Sequence, residues 1–168
     1  TVIVLWGDHG WKLGDYGMWC KHTNYELDTH VPLILRAPAG RFAPGRTRAL
    51  VELVDLYPTL CELCGLERPA PLEGARLVPL IAEPGRRWKR AAFSHYPRGD
   101  LMGRSVRTDR YRYTEWQTAD GSIQARELYD FQSDPQATVN AAEDAKSAAT
   151  VAELSKILHG GWRAAAEY

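Results

Sequence analysis

Hydrophobic residues run unbroken from Val2 to Trp6, and again from Val31 to Leu35 apart from Pro32. A short apolar run without alternation is the pattern of a strand covered on both faces, the usual state in a parallel sheet. Gly7 closes the first run and polar residues follow. Pro32 stands at the start of the second, where a missing N–H costs least. Residues 38–48 read as loop. Leu56, Leu60 and Leu63 share one helical face. A helix is therefore expected from an Asp55 N-cap to Cys64, with Pro58 in its first turn and Gly65 as its stop. Residues 66–88 read as a Pro- and Arg-rich connection with a short helical piece near residues 77–82.

After residue 90 the texture changes. Residues 91–96, 104–116 and 126–131 alternate β-prone and polar positions between turns, the pattern of an antiparallel sheet. Residues 141–159 are Ala/Leu-patterned and end at Gly160-Gly161, so they read as a helix with a glycine stop. The expected organisation is an α/β piece over residues 1–90 and an antiparallel-sheet-plus-helix subdomain over residues 91–168. A parallel strand needs parallel neighbours reached by long crossovers. With at most two such strands, the first piece reads as the tail of a larger sheet.

Composition adds limits. The 168 residues carry 21 basic and 21 acidic side chains, so a polyanionic partner such as nucleic acid is not expected. No apolar run approaches the roughly 20 residues of a membrane span. Arg107-Thr108-Asp109-Arg110-Tyr111-Arg112-Tyr113 interleaves basic and aromatic residues, as single-strand-binding sheets do, but the balanced charge favours sheet packing. Cys61 and Cys64 form a C-x-x-C without a second pair at zinc spacing, and read as two core residues one helical turn apart. The chain begins at Thr1 inside a strand-like run, so an earlier segment, with any targeting signal, is expected to be missing.

The chemistry concentrates after the first run. Ligands of open α/β sheets bind beyond the carboxyl ends of strands, and Asp8-His9 stands there. A carboxylate oxygen and an imidazole nitrogen can share one divalent cation; a solvated Asp-His-Gly turn is the alternative. Gly10, Gly14 and Gly17 can fold the chain back and bring Lys21 to the same place. Its compact ammonium suits a tetrahedral oxyanion, although a lone lysine also reads as surface. His22 and His30 read as local hydrogen-bonders.

The order of these features resembles the sulfatase family of the alkaline phosphatase superfamily, nearest its iduronate-2-sulfatase-like branch. That order is apolar strand, Asp8-His9-Gly10, Gly-rich loop, Gly17-x-x-x-Lys21, and Val31-Pro32-Leu33-Ile34. The likeness continues through Leu53-Val54-Asp55-Leu56-Tyr57-Pro58, Ser94-His95-Tyr96-Pro97-Arg98, Met102-Gly103-Arg104-Ser105, Glu127-Leu128-Tyr129-Asp130 and Ser133-Asp134-Pro135. It implies an alkaline-phosphatase-like core fragment followed by a small α+β C-terminal subdomain. It implies that Asp8 and His9 are metal ligands and that Lys21 contacts the sulfate group as the catalytic residue of this segment, with Trp11 bordering the substrate. The implied metal is calcium, with manganese admitted because His9 offers nitrogen where calcium prefers oxygen. The implied substrate is a sulfated small molecule or sugar, with no membrane or nucleic-acid partner. A periplasmic, secreted or lysosome-like compartment fits the family.

The family's nucleophile is a formylglycine made within C/S-x-P-x-R. None of the segments starting at Cys20, Cys61 or Cys64 fits, and Ser133-Asp134-Pro135-Gln136-Ala137 lacks the closing arginine. The family's N-terminal acidic ligands are also missing, so the isolated chain is expected to be inactive. A phosphonate or phosphate monoesterase of the same superfamily and a non-catalytic sulfatase-like protein remain alternatives.

Overall fold

A computed structural model describes residues 1–38 and 40–166. Ala39 of the expected loop and residues 167–168 of the expected subdomain lie outside the described residues. The elements are β1 (Ile3–Trp6), β2 (Lys12–Leu13), β3 (Trp19–Cys20), α1 (Glu26–Thr29), β4 (Leu33–Arg36), α2 (Leu56–Cys64), α3 (Val78–Ala82), β5 (Ala92–Arg98), β6 (Leu101–Arg107), β7 (Tyr111–Gln117), β8 (Ile123–Asp130) and α4 (Ala148–Ala164). They form two compact units. One comprises Thr1–Trp6 and Pro32–Lys89, the other Gly7–Val31 and Arg90–Ala166. A contiguous cut near residue 90 is thus corrected. Gly7–Val31 belongs with the C-terminal residues, because its polar side chains find their buried partners there.

In the first unit β1 pairs antiparallel with β4, Ile3 facing Arg36 and Trp6 facing Leu33. The expected parallel sense of these two strands is corrected. A chain that leaves β1 and returns in the reverse direction needs no crossover. Only one face is packed within the unit: Val4, Leu33 and Leu35 lie against buried Leu56, Leu77, Leu80 and Trp88. Ile3, Leu5 and Ile34 are 48%, 55% and 61% exposed. Helix α2 ends as expected at Gly65, whose φ of 67° is the left-handed cap conformation glycine adopts without steric cost. Its start differs. Asp55 is already helical, and Glu52 closes a capping box with it. The Asp55 carboxylate is buried, accepting from the Glu52 and Ala75 N–H groups at 2.9 and 2.7 Å and from Lys89 Nζ at 2.7 Å. Buried contacts outcompete the simple N-cap. Cys61 is buried but Cys64 is exposed, which corrects their reading as two core residues.

The second unit is built on a four-stranded antiparallel meander, β5-β6-β7-β8. Expected strand 104–116 is two strands, divided by a turn at 108–110 in which the Thr108 hydroxyl accepts the Tyr111 N–H at 3.1 Å. Strand alternation sorts the sheet into two different faces. Phe93, Val106, Tyr113 and Leu128 are cross-strand neighbours. They pack against Val151, Leu154 and Leu158 of α4. The other face carries Ser94, Tyr96, Gly103, Ser105, Arg107, Arg112, Thr114, Glu127 and Tyr129. It receives side chains from the Gly7–Val31 segment. Helix α4 begins at Ala148, after a short 3₁₀ turn, and leaves helical geometry at Gly161 (φ 71°) before a last turn to Ala164. Gly160-Gly161 therefore breaks the helix rather than ending it.

Candidate active site

The Gly7–Val31 segment is a hairpin and a helical turn fastened to the polar face of the sheet. Asn24, 2% exposed, donates to the Gly103 carbonyl at 3.0 Å. A side chain at position 103 would meet the Trp116 ring at 2.8 Å and Asn24 Nδ2 at 2.9 Å, so only glycine admits this contact. Glu26 accepts from Arg107 Nε at 3.0 Å and Arg112 Nη2 at 2.7 Å. Arg112 also reaches the Thr29 hydroxyl at 2.8 Å. Burial pushes the Glu26 carboxyl up, but the two guanidinium groups outweigh it and hold it below its ordinary value. Burial pulls Arg112 down, Glu26 working against the shift. The Tyr25 ring meets Tyr129 edge-on at 5.8 Å.

On this base four sequence-predicted residues come together. Lys21 Nζ is hydrogen-bonded to His9 Nε2. His9 Nε2 lies 3.6 Å from Asp8 Oδ2, and the other ring nitrogen, Nδ1, lies 2.9 Å from the Gly10 carbonyl. That carbonyl can only accept, so Nδ1 carries a proton and, in the neutral ring, the Nε2 lone pair is the one that accepts from Lys21 Nζ. The Trp11 ring, half exposed, stands 6.0 Å from the imidazole at a tilt of 34°. Cys20, immediately before Lys21, has φ 72°, a left-handed conformation that is costly for a residue with a side chain. It turns the chain so that Lys21 faces back to His9. His22 lies against the Tyr96 ring at 5.9 Å, and His30 pairs with Glu26 at 3.3 Å.

Asp8 Oδ2 and His9 Nε2 are close enough to share one cation, but two donors do not make a full coordination sphere. Among the described residues no group of three or more His, Cys, Asp or Glu side chains could hold a metal ion. The donors therefore fit part of a site. Chemically, the arrangement places a cation, a nitrogen lone pair and a carboxylate on one exposed edge beside an aromatic ring.

The supporting residues were not visible in the sequence. Lys12, Thr23, Asn24, Glu26 and Asp28 belong to no motif or periodicity that would single them out. Asn24 and Glu26 find their partners on the sheet, at Gly103, Arg107 and Arg112, whereas Lys12, Thr23 and Asp28 find theirs in one another. The one local signal is the density of polar residues in a stretch with three glycines and a β-hairpin. Arg107 and Arg112, part of the basic and aromatic run, are committed to Glu26.

Residues 14–162 match the family model described as "N-sulphoglucosamine sulphohydrolase, C-terminal". The chain belongs to the sulfatase family. It is 33% identical over 206 residues to the iduronate 2-sulfatase of Homo sapiens, covering 80% of this chain and 37% of that protein. A solved protein "in complex with its substrate D-Glucosamine-2-N, 6-O-disulfate" superposes with a TM-score of 0.84 at 28% identity, over 97% of this chain and 34% of that one. The phosphonate monoester hydrolase of Agrobacterium radiobacter superposes with a TM-score of 0.79 at 29% identity, over 98% and 35%. The sulfatase chain spans about a third of the length of the curated relatives it matches. Its fold is that of the alkaline-phosphatase-like sulfatases, represented here by their C-terminal part.

Proposed function

We propose that the protein containing this chain is a sulfate ester hydrolase acting on a sulfated sugar or small molecule, and that this segment supplies the charged edge that receives the sulfate group. The convergence of Lys21 on His9, next to Asp8, carries the reading. A sulfate ester gains charge on its bridging oxygen as the S–O bond breaks, and its non-bridging oxygens need cations throughout. The Lys21 ammonium supplies a compact, already positioned charge for those oxygens and a proton source near the leaving oxygen. Trp11 borders the space and can shed water from one side of a sugar ring. Asp8 and His9 are two ligands of a divalent cation, calcium or, through the His9 nitrogen, manganese. Such a cation, when bound, neutralises sulfate oxygens and polarises the sulfur centre. The nucleophile that the family resemblance implies, a formylglycine, lies outside these 168 residues, where no Cys or Ser begins a C/S-x-P-x-R segment.

A second reading has its own support. The phosphonate monoester hydrolase likeness extends over 98% of the chain. The same three groups serve phosphoryl oxygens as well as sulfuryl ones. One experiment separates the two: steady-state kinetics of the intact protein on nitrophenyl sulfate and on nitrophenyl phenylphosphonate. A kcat/KM at least tenfold higher on the sulfate is expected. The reverse ratio supports the phosphonate reading, and no turnover of either supports a non-catalytic member.

A further inference from the structure

We propose that Asp28 is a positioning residue that sets where Lys21 stands relative to His9. Asp28 is 4% exposed and its partner Lys12 is fully buried, though both lie in a segment rich in glycine and polar residues. One carboxylate oxygen, Oδ2, accepts from both Lys12 Nζ and the Thr23 hydroxyl. Lys12 Nζ also donates to Thr23 Oγ1 at 3.2 Å, closing a three-membered ring of contacts.

Each member of this ring is tied to one end of the candidate site. Thr23 donates its N–H to the Lys21 carbonyl at 2.7 Å, which fixes the turn in which Lys21 sits. Lys12 is paired in register with Cys20, the residue before Lys21. The Asp28 carbonyl accepts the Gly10 N–H at 2.9 Å, one residue after His9. That last contact is close enough that a side chain at position 10 would stand 1.8 Å from the Leu27 carbonyl oxygen. Asp28 is thus bound at its carboxylate to the Lys21 side and at its backbone to the His9 side. Burial makes the tie stiff, since a charged pair away from water is held far more tightly than an exposed one.

Placement is a claim about this segment alone. Its catalytic consequence rests on the hydrolase reading above. The test therefore has two arms, both on the intact protein. In the first, wild type, Asp28→Asn and the milder Thr23→Val are compared by reductive methylation of lysines, read at Lys21 by peptide mass spectrometry, and by amide hydrogen exchange. Lys21 is expected to label at least fivefold faster in both variants. Amides of residues 20–23 should exchange faster, while those of β6 and β7 keep their protection. An unchanged Lys21 labelling rate in the folded variants overturns the proposal.

A paired variant, Lys12→Met with Asp28→Leu, replaces the ion pair by apolar groups of similar length, a change that often preserves stability. Its melting temperature should recover, yet Lys21 should still label fast, because Thr23 has lost its acceptor. Recovery of both means that Asp28 only holds the fold together, and overturns the proposal.

In the second arm, turnover is measured. A residue that acts through Lys21 has nothing left to contribute once Lys21 is gone. Lys21→Ala combined with Asp28→Asn should be no slower than Lys21→Ala alone, although Asp28→Asn by itself lowers kcat at least tenfold. Multiplying losses overturn the positioning role. A wild-type protein with no turnover refutes the functional reading instead, and the labelling arm then decides the placement.

Discussion

Two lysines of one short hairpin have opposite fates, and the contrast shows what single residues here can do. Lys12 is fully buried and spent on Asp28 and Thr23, whereas Lys21 reaches the partly exposed His9. If Lys21 stabilises charge on a sulfate oxygen, Lys21→Ala in the intact enzyme removes one preorganised donor. Such losses run to roughly 10² to 10³ in turnover, about 3 kcal/mol of transition-state stabilisation. Lys21→Arg should recover little, because a planar fork does not reproduce a compact charge in the same space. Metal content should not change in either variant. A solvated lysine predicts less than a threefold loss, so kinetics on a small aryl sulfate with metal measured on the same samples tells the two apart. Asp8→Ala makes the complementary case. Metal content and activity should fall together, and unchanged metal stoichiometry removes Asp8 from the ligand set. Asp8, His9, Trp11 and Lys21 stand together in the structure, and it was the order of motifs shared with the sulfatase family, not any local trace, that singled them out in the sequence. Asp28 and Glu26 were not singled out. A carboxylate in Glu26-Leu27-Asp28 looks solvated until Arg107 and Arg112 of the sheet meet Glu26, and Lys12 and Thr23 of the hairpin meet Asp28.

Elements were legible where one periodicity ruled and misread where long-range contacts decided. The Leu56, Leu60 and Leu63 stripe gave α2, and alternation gave the sheet. The sense of β1 and β4 could not be read, since apolar runs carry no direction. Helix α4 crosses the sheet above a charged residue that alternation places inward. Glu115, fully buried, accepts from Tyr113 Oη at 2.8 Å, Gln117 Nε2 at 2.7 Å, Ser155 Oγ at 2.7 Å and His159 Nε2 at 2.8 Å. Arg104 and Arg126 flank it in register on the same face. Burial alone raises a carboxyl's pKa, yet these donors hold Glu115 below its ordinary value. Burial first, and then the same carboxylate, push the Tyr113 hydroxyl up to about 12. The sign for stability follows. A depressed folded-state value means that Glu115 stabilises the fold fully above the unfolded carboxyl range, near 4.3, and loses that contribution as pH falls through the folded value. Thermal unfolding of the intact protein between pH 3 and 7 should show stability falling on the acid side, with a shallower slope in Glu115→Gln. Glu115→Ala strands four donors and should cost about 3 kcal/mol at neutral pH. An acid limb identical in Glu115→Gln and wild type contradicts this account.

At the scale of the whole molecule, the polar side chains are better satisfied than the apolar surface. The second unit buries its charged network, but β1 and β4 leave Ile3, Leu5, Trp6 and Ile34 between 48% and 61% exposed. A two-stranded sheet with an open apolar face is marginal by itself in water, and such a face is an association surface. The candidate site is incomplete on the same terms. Asp8 and His9 offer two donors, no third His, Cys, Asp or Glu joins them among the described residues, and no Cys or Ser begins C/S-x-P-x-R in the sequence. A two-donor site binds calcium or manganese weakly, because most coordination positions are left to water. Lys21 alone can stabilise charge but cannot attack sulfur. The purified 168-residue chain is therefore expected to release no nitrophenol from nitrophenyl sulfate, with or without millimolar calcium or manganese, at any pH from 5 to 8. Calorimetric titration with either metal should show no tight binding, and a dye that reports exposed apolar surface should bind until β1 and β4 are covered. Metal-dependent turnover by this chain would require a nucleophile and ligands among residues assigned no such role, and would overturn the division of labour argued from Asp8, His9 and Lys21.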